Sequence, residues 1–132
     1  MKKILYFVLF ISIYVYGVTN YELRFYERVI PLIFKIPVHI YADKETKNML
    51  KKSDKFIIEN SCTNAQLIMG MIKNIKCKDK PLFATDYDTY KLSPNAFGAF
   101  YWRKSRPQLK FKKQKIKEFN LNLDLSLQKY VK

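Results

Sequence analysis

Ile36-Pro37-Val38-His39-Ile40-Tyr41-Ala42 is a short β-branched and aromatic run, and it predicts a strand. The run ends at Asp43. From there Asp43-Lys44-Glu45-Thr46-Lys47-Asn48-Met49-Leu50-Lys51-Lys52-Ser53 reads as a capped helix with Met49 and Leu50 turned inward. Lys55-Phe56-Ile57-Ile58-Glu59 is a second strand. Strands that alternate with helices argue for an α/β domain with a largely parallel sheet.

Downstream, Ala65-Gln66-Leu67-Ile68-Met69-Gly70 is a third strand, entered through Cys62-Thr63-Asn64, and Pro81-Leu82-Phe83-Ala84-Thr85 is a fourth, entered through Cys77-Lys78-Asp79-Lys80. Residues 86–92 predict a short helix or turn, and Ser93-Pro94-Asn95 a loop. Two aromatic runs, 96–102 and 108–111, flank the polar link Arg103 to Pro107 and predict a hairpin. Residues 112–119 form a basic helix with Ile116 and Phe119 inward, and 124–131 a last short helix capped by Asp124. Upstream, Leu23, Tyr26, Ile30 and Ile33 fall at helical spacing, Asn20 suits an N-cap, and Pro31 should end or bend the helix. The expected fold is one small α/β domain: a mostly parallel sheet flanked by helices, with a C-terminal β-hairpin plus helices, after a signal peptide.

That signal peptide is read from residues 1–17. Met1-Lys2-Lys3 precedes an apolar run from Ile4, and Gly17 is a small residue at its end. The run is shorter than the roughly 20 residues that span a bilayer. Val15 and Gly17 suit the −3 and −1 sites of a signal peptidase, so cleavage is expected after Gly17 and the domain at 18–132. The competing expectation is an uncleaved anchor with Tyr16 and Tyr21 at the interface. Either way the domain is expected to work in the periplasm.

The chain carries 25 Lys and Arg against 11 Asp and Glu, a net of +14. Without Lys2 and Lys3 the balance is 23 against 11, or +12. Such a field favours anionic partners. Only Arg24, Arg28, Arg103 and Arg106 are arginines, so the lysine excess also fits the codon bias of an AT-rich genome. Three glycines in all leave no room for a Gly-rich phosphate loop. Cys62 and Cys77 are the only cysteines, and an even pair outside the cytoplasm reads as a disulfide, with two free thiols as the alternative. If the strands they precede are parallel and adjacent, both thiols emerge on one edge of the sheet.

Catalytic chemistry finds little to stand on. His39 is the single histidine and sits within an apolar strand, which suits a core or edge residue better than a base. The carboxylate pairs Asp43/Glu45 and Asp86/Asp88 read as helix-start and loop residues. No enzyme, cofactor or metal site is expected. Arg103 to Lys117 holds eight cations in fifteen residues, interleaved with aromatics. Tyr101, Trp102, Arg103, Lys104, Arg106, Lys110, Lys112 and Lys113 are therefore a candidate anion or partner surface for nucleic acid or anionic lipid. A solvated hairpin tip and helix face is the alternative. Phe97, Phe100, Tyr101 and Trp102 read equally as core or as interface.

The order of elements, and above all Asn95-Ala96-Phe97-Gly98-Ala99-Phe100, then Arg106-Pro107-Gln108-Leu109-Lys110-Phe111, Ile116 and the Leu-rich 121–131, resembles the small periplasmic YfiR-like regulators. Asn64 to Met69 after Cys62 resembles that family's central strand. Lys112 and Lys113 stand where the family has an asparagine after its last strand. The resemblance implies a periplasmic, non-catalytic protein that represses an inner-membrane signalling enzyme, typically a diguanylate cyclase, by contacting its periplasmic sensor domain. Two other expectations stand beside it. One is a small-ligand protein using the sheet edge near Asp43, Asp86 and Ser93-Pro94-Asn95. The other is a basic nucleic-acid binder of an uptake system.

Overall fold

The computed structural model describes residues 21–72 and 76–132. The expected signal peptide, its cleavage site and the Asn20 cap lie outside them. Helix α1 (21–29) tightens into a 3-10 turn at Ile30–Leu32. The cause is Pro31, which has no N–H to continue the helical ladder. Strand β1 (Val38–Ala42), helix α2 (Lys44–Leu50) and strand β2 (Phe56–Ile58) follow as expected. Next come a 3-10 turn at Cys62–Asn64, β3 (Leu67–Gly70), β4 (Leu82–Ala84) and α3 (Tyr87–Leu92). The chain closes with β5 (Ala96–Arg103), β6 (Arg106–Phe111), α4 (Lys113–Glu118) and a 3-10 turn at Leu125–Tyr130.

The six strands of the described residues form one sheet in the order β2-β1-β3-β4-β5-β6. The first five are parallel, and β6 is antiparallel to β5. Residues of β3 and β4 are buried throughout, as expected of central parallel strands covered on both faces. The chain moves one way along the sheet from β1 to β2 and the other way from β2 through β5. Right-handed connections running in opposite directions must cover opposite faces. Accordingly Leu50 of α2 packs with Val38, Ile40, Met69 and Phe83 on one face, joined by Tyr26 and Ile30, and by Leu123 and Leu127 of the tail. The other face holds Ile68, Leu82 and Ala96 beneath Cys77, and Ala84, Ala99 and Tyr101 beneath Tyr90 of α3.

Cys62 and Cys77 form a disulfide with Cα atoms 6.0 Å apart. It ties the segments that enter β3 and β4, which are adjacent and parallel, so both thiols do emerge on one edge. Three local expectations are corrected. The hairpin link is not the five residues Arg103 to Pro107: Arg103 pairs with Arg106, and only Lys104 and Ser105 turn the chain, both at positive φ. That is the two-residue turn whose twist matches the flanking strands. The tail closes as a 3-10 rather than an α-helix, though Asp124 caps it through Ser126 N–H. Ser93-Pro94-Asn95 lies before β5, at the amino edge of the parallel sheet, opposite the edge reached by Asp43 and Asp86. Finally, Asn120 at φ 58 ends α4 in a left-handed cap, with Leu121 N–H donating to Ile116 O at 2.9 Å and Asn120 N–H to Lys117 O at 3.1 Å. This cap sends the tail back across the sheet, where Val131 bridges Phe111.

Candidate functional site

In an open parallel sheet, ligands bind outside the carboxyl ends of the strands, where the winding reverses. Here that point lies between β1 and β3, and a cleft of about 390 Å³ opens there. Glu22 and Tyr26 reach it from α1, Asp43 and Thr46 from the start of α2, Met71 from the end of β3 and Thr85 from the end of β4. Phe100 and Trp102 of β5 form its aromatic wall.

Asp43 begins α2 through its carbonyl, which accepts from Lys47 N–H at 2.8 Å. Its side chain makes no capping bond. Instead the carboxylate packs over Gly70, whose φ of +119° and bare Cα make room for it. The Oδ1 atom is buried and accepts no hydrogen bond. The other buried side-chain polar atoms without a partner among the described residues are Asp86 Oδ1, Thr89 Oγ1 and Tyr101 OH. Asp86 and Thr89 follow β4, and Tyr101 is two residues from the end of β5. All four thus sit at the carboxyl edge. A buried polar group left unpaired is costly, and such groups concentrate where function requires them.

Tyr26 is 3% exposed. Burial first, then Glu22, then Asp43, push its phenol well above the ordinary tyrosine range. The wall is held by aromatic packing: Phe25 of α1 stacks on Phe100 with ring centroids 4.0 Å apart. Trp102 Nε1–H donates to Glu22 Oε1 at 3.3 Å, and Tyr21 lies 6.2 Å from the Trp102 ring. Tyr21, Trp102 and Met71 remain exposed on this edge.

The residues expected at an anion surface are not brought together. Tyr101 and Trp102 are neighbours on a strand, so they point to opposite faces. Tyr101 is buried beside Tyr87, whereas Trp102 stands in the cleft wall. Arg103, Lys104 and Arg106 are exposed at the hairpin tip, and Lys113 is exposed on α4. Lys110 lies over the Tyr101 ring. Lys112 covers the Tyr90 ring at 4.5 Å and donates to Tyr90 O at 2.7 Å, and burial, then Lys115, lower its pKa. Of the aromatic run, Phe97, Phe100 and Tyr101 are core, and Trp102 alone is half exposed.

Among the carboxylate pairs, Asp86 caps α3 through Thr89 N–H at 3.2 Å, whereas Asp43 and Glu45 both line the cleft. His39 is an edge residue: Nδ1 lies 2.6 Å from Glu59 Oε1, and its backbone N–H donates to Gln66 Oε1. Sequence reasoning missed Glu22, Tyr26, Gly70 and Met71 as site residues. The available signal was Gly70 itself, a glycine closing an apolar strand. Among the described residues, no group of three or more His, Cys, Asp and Glu could hold a metal ion, and no helix is long and apolar enough to cross a membrane. No family model, curated protein or solved structure matches the chain.

Proposed function

We propose that the protein is a non-catalytic α/β binding module of the periplasm, and that it docks on an inner-membrane signalling partner through the cleft at the carboxyl edge. The observation that carries this reading is the cleft at the winding reversal, with exposed Trp102 and Met71 lining it beside a buried, unpaired Asp43 oxygen. Apolar residues around a polar floor are the layout in which a partner side chain is buried and oriented. The YfiR-like pattern of the sequence supports the same role. The test is a photo-crosslinking residue at Met71, with Lys78 on the amino edge as control, in intact cells. Capture of one inner-membrane protein from position 71 alone is expected. No capture from either position would overturn docking.

A small-ligand role is the second reading, because about 390 Å³ lies within the range of small-molecule sites. Stabilisation of the purified protein by a metabolite, with no crosslinked partner, would favour it. Nucleic-acid or anionic-lipid binding has weaker support, because Tyr101 and Trp102 face apart and Lys112 is committed to Tyr90.

A further inference from the structure

We propose that the cleft takes an organic cation, a guanidinium or ammonium group carried on a short apolar stem. This rests on the binding-module reading above and adds the chemistry of the bound group.

Among the described residues, Glu22, Asp43 and Glu45 line the cleft against one cation, Lys52, which is exposed. In a chain with a net charge of +14, this is a local reversal of sign. An anion entering here would meet three carboxylates, whereas a cation would be drawn in. One further observation points to a guest. Asp43 Oδ1 is buried without a donor. Tyr26, only 3% exposed, lines the same cleft. A multi-donor cation supplies what the Asp43 carboxylate lacks. The wall supplies the rest: the half-exposed Trp102 ring offers aromatic surface that attracts a cation and covers an apolar stem. The carboxylates are not grouped to hold a bare metal ion. Their spread over α1 and α2 suits a larger group with several N–H donors.

Trp102 is the only tryptophan, so its emission, excited selectively over the ten tyrosines, reads this cleft. The purified protein is titrated with argininamide and with citrullinamide, its neutral isostere. A saturable change with argininamide and none with citrullinamide is expected. Asp43→Asn should weaken binding on the order of tenfold or more. Glu45→Gln, at an exposed position, should weaken it less and serves as the variant whose folding is not in question. Equal response to both probes, or no saturable response to argininamide, overturns the proposal. In that event, capture of a membrane protein from position 71 would leave the docking reading standing. A short peptide with one central arginine separates two sources of the same chemistry. Tighter binding than argininamide assigns the cation to a protein side chain, and equal binding assigns it to a free small molecule.

Discussion

The carboxylate of Asp43 occupies the space that a side chain on Gly70 would fill. Asp43 directly follows β1 and Gly70 ends β3, neighbouring parallel strands across the point where the winding reverses. The floor of the cleft is therefore a backbone requirement as much as a side-chain one. Gly70→Ala should strain a φ of +119° and displace Asp43 together. We expect a loss on the order of 2 kcal/mol or more, measured by urea unfolding. The Trp102 emission of the folded variant should change with it. An unchanged midpoint would show that Asp43 moves freely.

The Cys62–Cys77 bridge closes a loop with a sequence separation of 15. Loop entropy gives such a bridge about 3 kcal/mol. Cys62→Ser/Cys77→Ser, or reduction, should lower stability by that order without altering the sheet. Urea unfolding with and without reductant checks the magnitude, and far-ultraviolet circular dichroism checks the fold. Equal stability in both states would mean that the unfolded chain is already constrained there.

Tyr26 couples the cleft to alkaline pH. Its pKa is raised in the folded state, by burial, then Glu22, then Asp43, from the ordinary 10.0. Its contribution is fully present below about pH 10 and falls as pH rises beyond that value, by at most about 1.4 kcal/mol per pH unit. Tyr90 is shifted in the same direction by burial, Tyr101 and Tyr87. Lys112, lowered by burial and then Lys115, has the opposite sign: its neutral form is favoured, so its term becomes less adverse as pH rises toward 10.5. The difference between the wild type and Tyr26→Phe isolates the Tyr26 term. Unfolding from pH 8 to 11 should show the wild type losing stability relative to the variant only above about pH 10. Parallel profiles would refute the assignment.

The hairpin turn carries avoidable strain. Lys104 at φ 50 and Ser105 at φ 63 hold a conformation that Asn and Gly adopt more readily. Lys104→Asn with Ser105→Gly should stabilise the protein by about 0.5–1 kcal/mol. Because Lys104 lies at the tip and not in the cleft, argininamide binding should be unchanged. A destabilised double variant would mean that the Lys104 side chain holds the turn.

Phe100 joins α1 to the sheet by stacking on Phe25 and packing against Tyr26. Phe100→Ala should cost roughly 3–5 kcal/mol. It should also release Trp102 from Glu22, seen as a red-shifted emission. A large loss of stability with unshifted emission would show that Trp102 is held independently of α1.

Much of the fold was legible because its signals are local. The β-branched run before Asp43, the apolar runs 67–70 and 82–84, and Pro31 each act through neighbours a few residues away. The elements therefore fell where patterning placed them. The disulfide was legible because the cysteines form an even pair behind an expected signal peptide, and their place before two consecutive strands eases the bridge. Local signals failed at the hairpin, where polar Arg103, Arg106 and Pro107 read as loop but continue the ladder, because strand pairing outweighs propensity at an exposed edge. They failed again at Tyr101 and Trp102, where density of charge and aromatics suggested one surface. The two-residue period of the strand divides it.

An α/β chain with a parallel sheet, a closing hairpin and one disulfide can be read from short segments, since periodicity, turn chemistry and cysteine parity are their properties. The strand order, and with it the cleft, emerges from the folded chain. Glu22, Asp43, Thr85 and Trp102 are scattered along the chain and meet because β3 pairs with β1 rather than β2. That pairing follows from the handedness of crossovers and the burial of both sheet faces, which no short window of sequence contains.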